Sequence, residues 1–158
     1  MAGPKTLIGR HLLPRSTLLT NAAVPAPQII FPDTTLPIPA CVNLYDKRLG
    51  SLLRKGSPDI ISLGMGDDGH IASLFPPLED SAFGPDFAIH TTTDKFAIRD
   101  RVSVTMPVLE RARRTVFFLR GAGKKRALEE MTGSGENGRR WPGKTVIKTG
   151  SNTLLWMQ

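Results

Sequence analysis

At 158 residues, 40% hydrophobic and 22% charged, the chain suits one soluble domain spanning residues 1–158, large enough to bury a core without staples. A single cysteine, Cys41, excludes an intrachain disulfide, and no apolar run reaches the length of a membrane span, so no membrane partner is expected. The net charge of +7 draws anions, but the bases form no stripe interleaved with stacking aromatics, so a phosphorylated small molecule is expected rather than nucleic acid.

Leu7, Ile8, Leu12 and Leu13 recur at helical spacing and predict a short helix over residues 5–13. Val24–Pro39 holds five prolines and reads as an extended connection, with Ile29–Phe31 a brief strand inside it. Val42, Tyr45, Leu49, Leu52 and Leu53 mark one face of an amphipathic helix, which Gly56 and Pro58 end. Asp59–Gly64 is a short apolar run and reads as a buried strand leading into a glycine-rich turn, Gly64–Gly69. His70–Phe75 is expected to start a helical turn or two, and residues 76–86 form a loop.

Phe87–Thr92 and Arg101–Met106 carry strand residues, and Pro107 suits the start of a helix through Leu109 and Ala112. Thr115–Leu119 reads as a strand and Lys124–Met131 as a helix. After a polar loop over Gly133–Gly143, Lys144–Lys148 and Thr153–Met157 read as two closing strands. Strands alternating with helices predict an α/β domain with a mostly parallel sheet.

The stretch from Leu63 to Pro76 concentrates the chemistry: a strand, a glycine turn, then a polar group facing outward. Open α/β sheets bind ligands beyond the carboxyl ends of their strands, and glycines there let backbone amides approach an oxyanion. Asp68 and His70 flank a single glycine, and a carboxylate beside an imidazole orients it for general-base work on water. The residues alone also allow a plain reading, since Asp and Gly are common in turns and a histidine after a turn often just opens a helix.

Gly64-Met65-Gly66-Asp67-Asp68-Gly69-His70-Ile71-Ala72-Ser73-Leu74-Phe75-Pro76 closely resembles the 6-phosphogluconolactonase signature GMGxDGHTASLFP, departing at Ile71, where threonine is usual. Arg101-Val102-Ser103-Val104-Thr105-Met106-Pro107 resembles the family's R-[IV]-[ST]-x-T-x-P segment, and Val116–Lys124 resembles its strand ending in G-x-x-K. The resemblance implies a Rossmann-like α/β fold with helices on both faces of the sheet. It also implies hydrolysis of a phosphorylated sugar lactone in the oxidative pentose phosphate pathway, in the cytoplasm and with no cofactor. By the same resemblance His70 is the general base and Asp68 its support. Gly64, Gly66, Gly69, Arg101 and Lys124 are implied in substrate binding, with Lys124 on the phosphate. The family's usual N-terminal segment, with a glycine-serine phosphate loop and an Arg-containing motif ending in Ser-Asn, has no counterpart before Leu7, so an N-terminally truncated form of the fold is expected.

Other chemistries fail on spacing. Gly121-Ala122-Gly123-Lys124-Lys125 lacks the upstream glycine and the following Ser or Thr of a nucleotide P-loop, and Gly64-Met65-Gly66 lacks the third glycine of a dinucleotide fingerprint. His11, His70 and His90 have no metal-ligand spacing, so no metal is expected, and no G-x-S-x-G elbow occurs. Two rivals remain. One is a glucosamine-6-phosphate isomerase or deaminase, whose similar turn continues toward Phe-Asn-Glu-Pro instead of Ser73-Leu74-Phe75-Pro76. The other is a non-catalytic phosphosugar-binding remnant. No feature of the sequence specifies an oligomeric state.

Overall fold

The computed structural model describes residues 24–149 and 153–157; the helix expected over residues 5–13 lies outside them. The first described element is a 3-10 turn, Ala26–Gln28. Ile29–Phe31 forms no strand. Pro27 and Pro32 bracket it, and proline cannot donate to a sheet ladder.

Helix α1, Ile38–Leu53, starts after Pro37 in an extended conformation, with Pro39 in the first turn, where its missing N–H costs no helical bond. Its buried residues are Cys41, Gly50 and Leu53, whereas Leu52, expected on the apolar face, points to solvent. The helix lies against strand β2, Ala88–Thr92. Gly50 makes the close approach possible, since a Cβ there would sit 3.1 Å from the Phe87 ring. Asp46 fastens the contact by accepting the amides of Phe87 at 2.7 Å and Ala88 at 3.1 Å.

Three strands form a parallel sheet in the order β1–β4–β5: β1 Ile60–Leu63, β4 Arg114–Leu119 and β5 Thr153–Met157. Strand β2 instead pairs antiparallel with β3, Asp100–Val104, as a hairpin. In register, Ile61 lies beside Thr115 and Leu63 beside Phe117. Thr115, Phe117 and Leu119 are buried on one face of the sheet, while Ile60 and Phe118 on the other are 65% and 54% exposed. The strand expected to be buried thus buries only Leu63, because the sheet face that carries Ile60 and Phe118 is largely open to solvent.

The covered face meets helix α3, Ala122–Gly133, and helix α4, Pro142–Thr149, which contribute Ala127, Met131 and Val146 to the core. A short helix α2, Met106–Glu110, adds Met106 and Leu109. Lys144–Lys148 belongs to α4 and is no strand. Pro142 presets the first turn, and the Lys144 amide donates to the Trp141 carbonyl at 2.9 Å.

His70–Phe75 is not helical either. Ile71 makes isolated antiparallel bridges with both Met65 and Leu74, so the chain doubles back and buries Ile71 and Leu74 completely. Ala72, between them, takes a left-handed φ of 50°. Within the loop over residues 76–86, Asp80–Phe83 winds into a 3-10 turn. The parallel sheet and its helices match the expected α/β class, and the carboxyl ends of β1 and β4 open on one cleft.

Candidate active site

The chain leaving β1 makes a compact loop closed by its own backbone. The Gly66 amide donates to the His70 carbonyl at 2.7 Å, and the Gly69 amide to the Gly66 carbonyl at 2.9 Å. Gly69 has φ +88°, a conformation that favours glycine, and any Cβ on it would meet the Trp141 ring at 2.6 Å. Arg140 stacks over Trp141 at 3.8 Å and donates to the Asp68 carbonyl at 3.1 Å, supporting the loop from behind.

This loop brings two side chains together. His70 Nδ1 lies 2.6 Å from Asp68 Oδ1, and the same oxygen accepts the His70 amide at 3.2 Å. The second oxygen, Oδ2, accepts from Lys95 Nζ at 2.9 Å. Burial works to raise the Asp68 carboxyl, but hydrogen bonds from Lys95 and from the ring and amide of His70 outweigh it and hold the group at about 2. Asp68 is therefore a carboxylate at neutral pH and can only accept. Nδ1 must carry the imidazole proton, which leaves Nε2 as the acceptor. The dyad is half-sheltered, with side-chain exposures of 13% for His70 and 19% for Asp68. Phe75 and Phe96 flank the imidazole with centroids at 4.8 and 5.6 Å.

Across the turn, Lys124 Nζ lies 3.0 Å from Asp67 Oδ1. Lys124 sits in the first turn of α3, entered through Gly121 at φ +95°. Gly123 is needed for the approach, because a Cβ there would come within 2.6 Å of the Asp67 carboxylate.

A cleft of about 1480 Å³ collects Gly64, Gly66, Asp68, His70, Lys95, Phe96, Arg120 and Lys124 along its wall. Five of the seven site residues expected from sequence thus share it: His70, Asp68, Gly64, Gly66 and Lys124. Gly69 does not line it and packs on Trp141. Arg101 does not line it either: its Nε donates to the Ile98 carbonyl at 2.9 Å and its guanidinium lies over Phe96 at 5.6 Å. Ser103 and Thr105 of the same segment are buried and tie loops, Ser103 accepting the Ser73 amide and Thr105 donating to the Asp86 carbonyl. The amides of Gly66, Gly69 and His70 are engaged within the turn, which narrows the oxyanion donors expected over Gly64–Gly69 to the remaining amides.

Sequence reading missed Lys95, Asp67, Arg120 and Phe96. Asp67 was visible beside Asp68, but nothing in the sequence says which carboxylate meets the lysine. Lys95 gave no signal, because 27 residues separate it from Asp68. Among the described residues no group of three or more His, Cys, Asp or Glu could hold a metal ion, and no helix is long and apolar enough to cross a membrane.

The fold and the dyad define an α/β protein that presents a carboxylate-oriented imidazole beside a cation-bearing cleft. Residues 11–156 match the sequence pattern of the glucosamine-6-phosphate isomerases/6-phosphogluconolactonase family, and the chain belongs to that family. It is 36% identical over 154 residues to a Dictyostelium discoideum protein described as a probable 6-phosphogluconolactonase, covering 93% of this chain and 64% of that one. A Synechocystis 6-phosphogluconolactonase is 35% identical over 99 residues, covering 63% of this chain and 39% of the relative. The solved structure of 6-phosphogluconolactonase from Plasmodium vivax shares the fold, with a TM-score of 0.77 at 24% identity over 87% of this chain and 59% of that one. The chain therefore spans less than two thirds of the length of each of these proteins.

Proposed function

We propose that the protein hydrolyses 6-phospho-D-glucono-1,5-lactone to 6-phosphogluconate, the lactone-opening step of the oxidative pentose phosphate pathway. The observation that carries this reading is the 2.6 Å Asp68–His70 pair opening on a cleft that also holds Lys124. Relatives named 6-phosphogluconolactonase support the choice of substrate.

In this mechanism His70 Nε2 takes a proton from water as its oxygen attacks the lactone C1. Asp68 stabilises the imidazolium that forms. The remaining amides of the Gly64–Gly69 turn, those of Gly64, Met65, Asp67 and Asp68, are the donors proposed for the tetrahedral oxyanion. When that intermediate collapses, the bond from C1 to the ring oxygen breaks. The proton held on His70 passes to that oxygen, which becomes the C5 hydroxyl of the acid. A positioned base of this kind contributes about 10²- to 10⁴-fold. The substrate phosphate is held by Lys124, in competition with Asp67, and by the neighbouring Arg120. A charge-assisted hydrogen bond of this type contributes about 1.5–3 kcal/mol. A cytoplasmic setting is part of the same proposal.

The test offers the purified chain both 6-phosphogluconolactone and glucosamine 6-phosphate, following acid release by pH-stat and ammonia release by a coupled assay. The expected result is acid release above the spontaneous rate, no ammonia, and a return to the spontaneous rate in His70→Ala with an unchanged melting temperature. Ammonia without acid would assign the chain to the isomerase and deaminase side of the family. Affinity for 6-phosphogluconate without turnover would make it a binding module. Undiminished turnover in His70→Ala would remove the imidazole from the mechanism.

A further inference from the structure

We propose that Lys95, at the tip of the β2–β3 hairpin, is a positioning residue that sets the orientation of the Asp68 carboxylate and, through it, of the His70 imidazole. A carboxylate anchored by one oxygen can still turn about its terminal torsion, which is broad and nearly two-fold. Here the two oxygens are divided: Oδ1 takes the ring and amide of His70, and Oδ2 takes the Lys95 ammonium at 2.9 Å. With both oxygens assigned, the plane of the carboxylate is fixed.

The hairpin is built to deliver this group. The Thr93 amide donates to the Arg99 carbonyl at 3.1 Å, and the Lys95 amide to the Thr93 hydroxyl at 3.2 Å, which shapes the tip. The strands below are fastened to the loop that carries His70. The Thr91 hydroxyl donates to the Ser73 carbonyl at 2.7 Å, and the Ser73 amide donates to Ser103 Oγ at 3.2 Å. Phe96, the next residue, places its ring edge-on to His70. One tip thus supplies both a cation for Asp68 and a wall for the imidazole.

The other charged groups near the turn act elsewhere. Arg140 reaches the Asp68 backbone carbonyl, Lys124 is paired with Asp67, and Arg101 lies behind Phe96. Among the described residues Lys95 is the cation bonded to the Asp68 carboxylate itself. Its side chain is more than half exposed, and exposed ion pairs add little stability, so its effect falls on geometry. The catalytic consequence rests on the lactonase reading; the orienting contact does not.

The test compares Lys95→Met and Lys95→Arg with the unaltered chain, by steady-state lactone hydrolysis and by carboxylate carbon NMR of Asp68 across acid pH. In Lys95→Met we expect kcat to fall about tenfold with KM within about twofold. We also expect the Asp68 carboxyl to titrate clearly above its value of about 2, with the chain still folded and the melting temperature lowered by only a few degrees. Lys95→Arg restores most of kcat. A rise in KM at constant kcat would mean that Lys95 holds substrate and would overturn the proposal, as would an unmoved Asp68 titration. If the unaltered chain has no turnover, the lactonase reading fails, yet the Asp68 titration still decides whether Lys95 orients the carboxylate.

Discussion

Gly66→Ala is a demanding test of the site, because the added methyl group has nowhere to go. A Cβ at this position would lie 2.1 Å from His70 Nδ1, 2.3 Å from Cε1 and 2.4 Å from Asp68 Oδ1. Nonbonded carbon contacts settle near 3.5–4 Å, so the ring and the carboxylate must each move by roughly 1 Å or more. Neither can do so and keep the 2.6 Å bond between them. Gly66 does not have the left-handed φ that would make alanine strained by itself, and its amide can still donate to the His70 carbonyl. The damage therefore falls on the dyad more than on the backbone. We expect kcat to drop by about 10²-fold or more, the share of a positioned base. The stability cost is expected to be that of an overpacked site, about 1–3 kcal/mol. The assay is lactone hydrolysis by pH-stat beside urea denaturation of the same preparation. A kcat within about threefold of the unaltered chain, in a protein that remains folded, would mean that the Asp68–His70 contact does not limit the rate.

Four further outcomes follow from the same geometry. In the proposed mechanism Lys124 holds phosphate in ground and transition states alike, so Lys124→Ala should raise KM more than it lowers kcat, and Asp67→Asn should lower KM by releasing Lys124 from its 3.0 Å partner; KM values equal to that of the unaltered chain in both variants would remove this pair from phosphate binding. Asp68, held at about 2 against an ordinary aspartate value, favours the folded state above about pH 4 and loses that contribution as pH falls toward 2. Full linkage would give about 2.5 kcal/mol, and solvent screening reduces this to about 1. Asp68→Asn should flatten that part of the acid stability curve in urea titrations, and an unchanged slope would contradict the assignment. Gly69→Ala combines a φ of +88° with a Cβ placed 2.6 Å from Trp141. It should destabilise the chain by about 2–4 kcal/mol in urea denaturation, and an unmoved midpoint would show that the Trp141 ring yields freely.

Much of the fold was legible because each clear element carries one strong local signal. Thr115–Leu119 combines β-branched and aromatic residues and forms β4 within a residue of the expected bounds. The Pro107 start of α2 and the strands of the β2–β3 hairpin follow the same rule. The failures occur where local preference and tertiary demand part. Lys144-Thr145-Val146-Ile147-Lys148 carries a β-branched run that favours a strand, yet burying Val146 against the core from a helix meets the apolar demand. His70–Phe75 failed for another reason: Ile71 and Leu74 stand at helical spacing but are both buried by a chain that doubles back through a left-handed Ala72. Periodicity identifies which side chains seek the core, not the path that takes them there.

The glycines of the site motif show how far a string of residues can be read as chemistry. Read as a string, Gly64, Gly66 and Gly69 are interchangeable marks of a turn. In space each has its own neighbour. Gly64 has no atom within 4 Å of a would-be Cβ and faces the cleft, Gly66 is pressed against the dyad, and Gly69 is pressed against Trp141. Absence of a side chain thus leaves space at the first, seats the Asp68–His70 pair at the second, and fits the turn onto the domain at the third. Only the first two positions border the cleft, so Gly69 acts on any ligand through the shape of the loop. The sequence could assign glycine to all three places without separating these reasons, because the partners lie at very different distances along the chain: His70 is four residues from Gly66, whereas Trp141 is 72 from Gly69. The same separation hid Lys95. A local motif records the residues that must bend together, and the groups that hold the bend in its working shape come from parts of the chain that carry no mark of it.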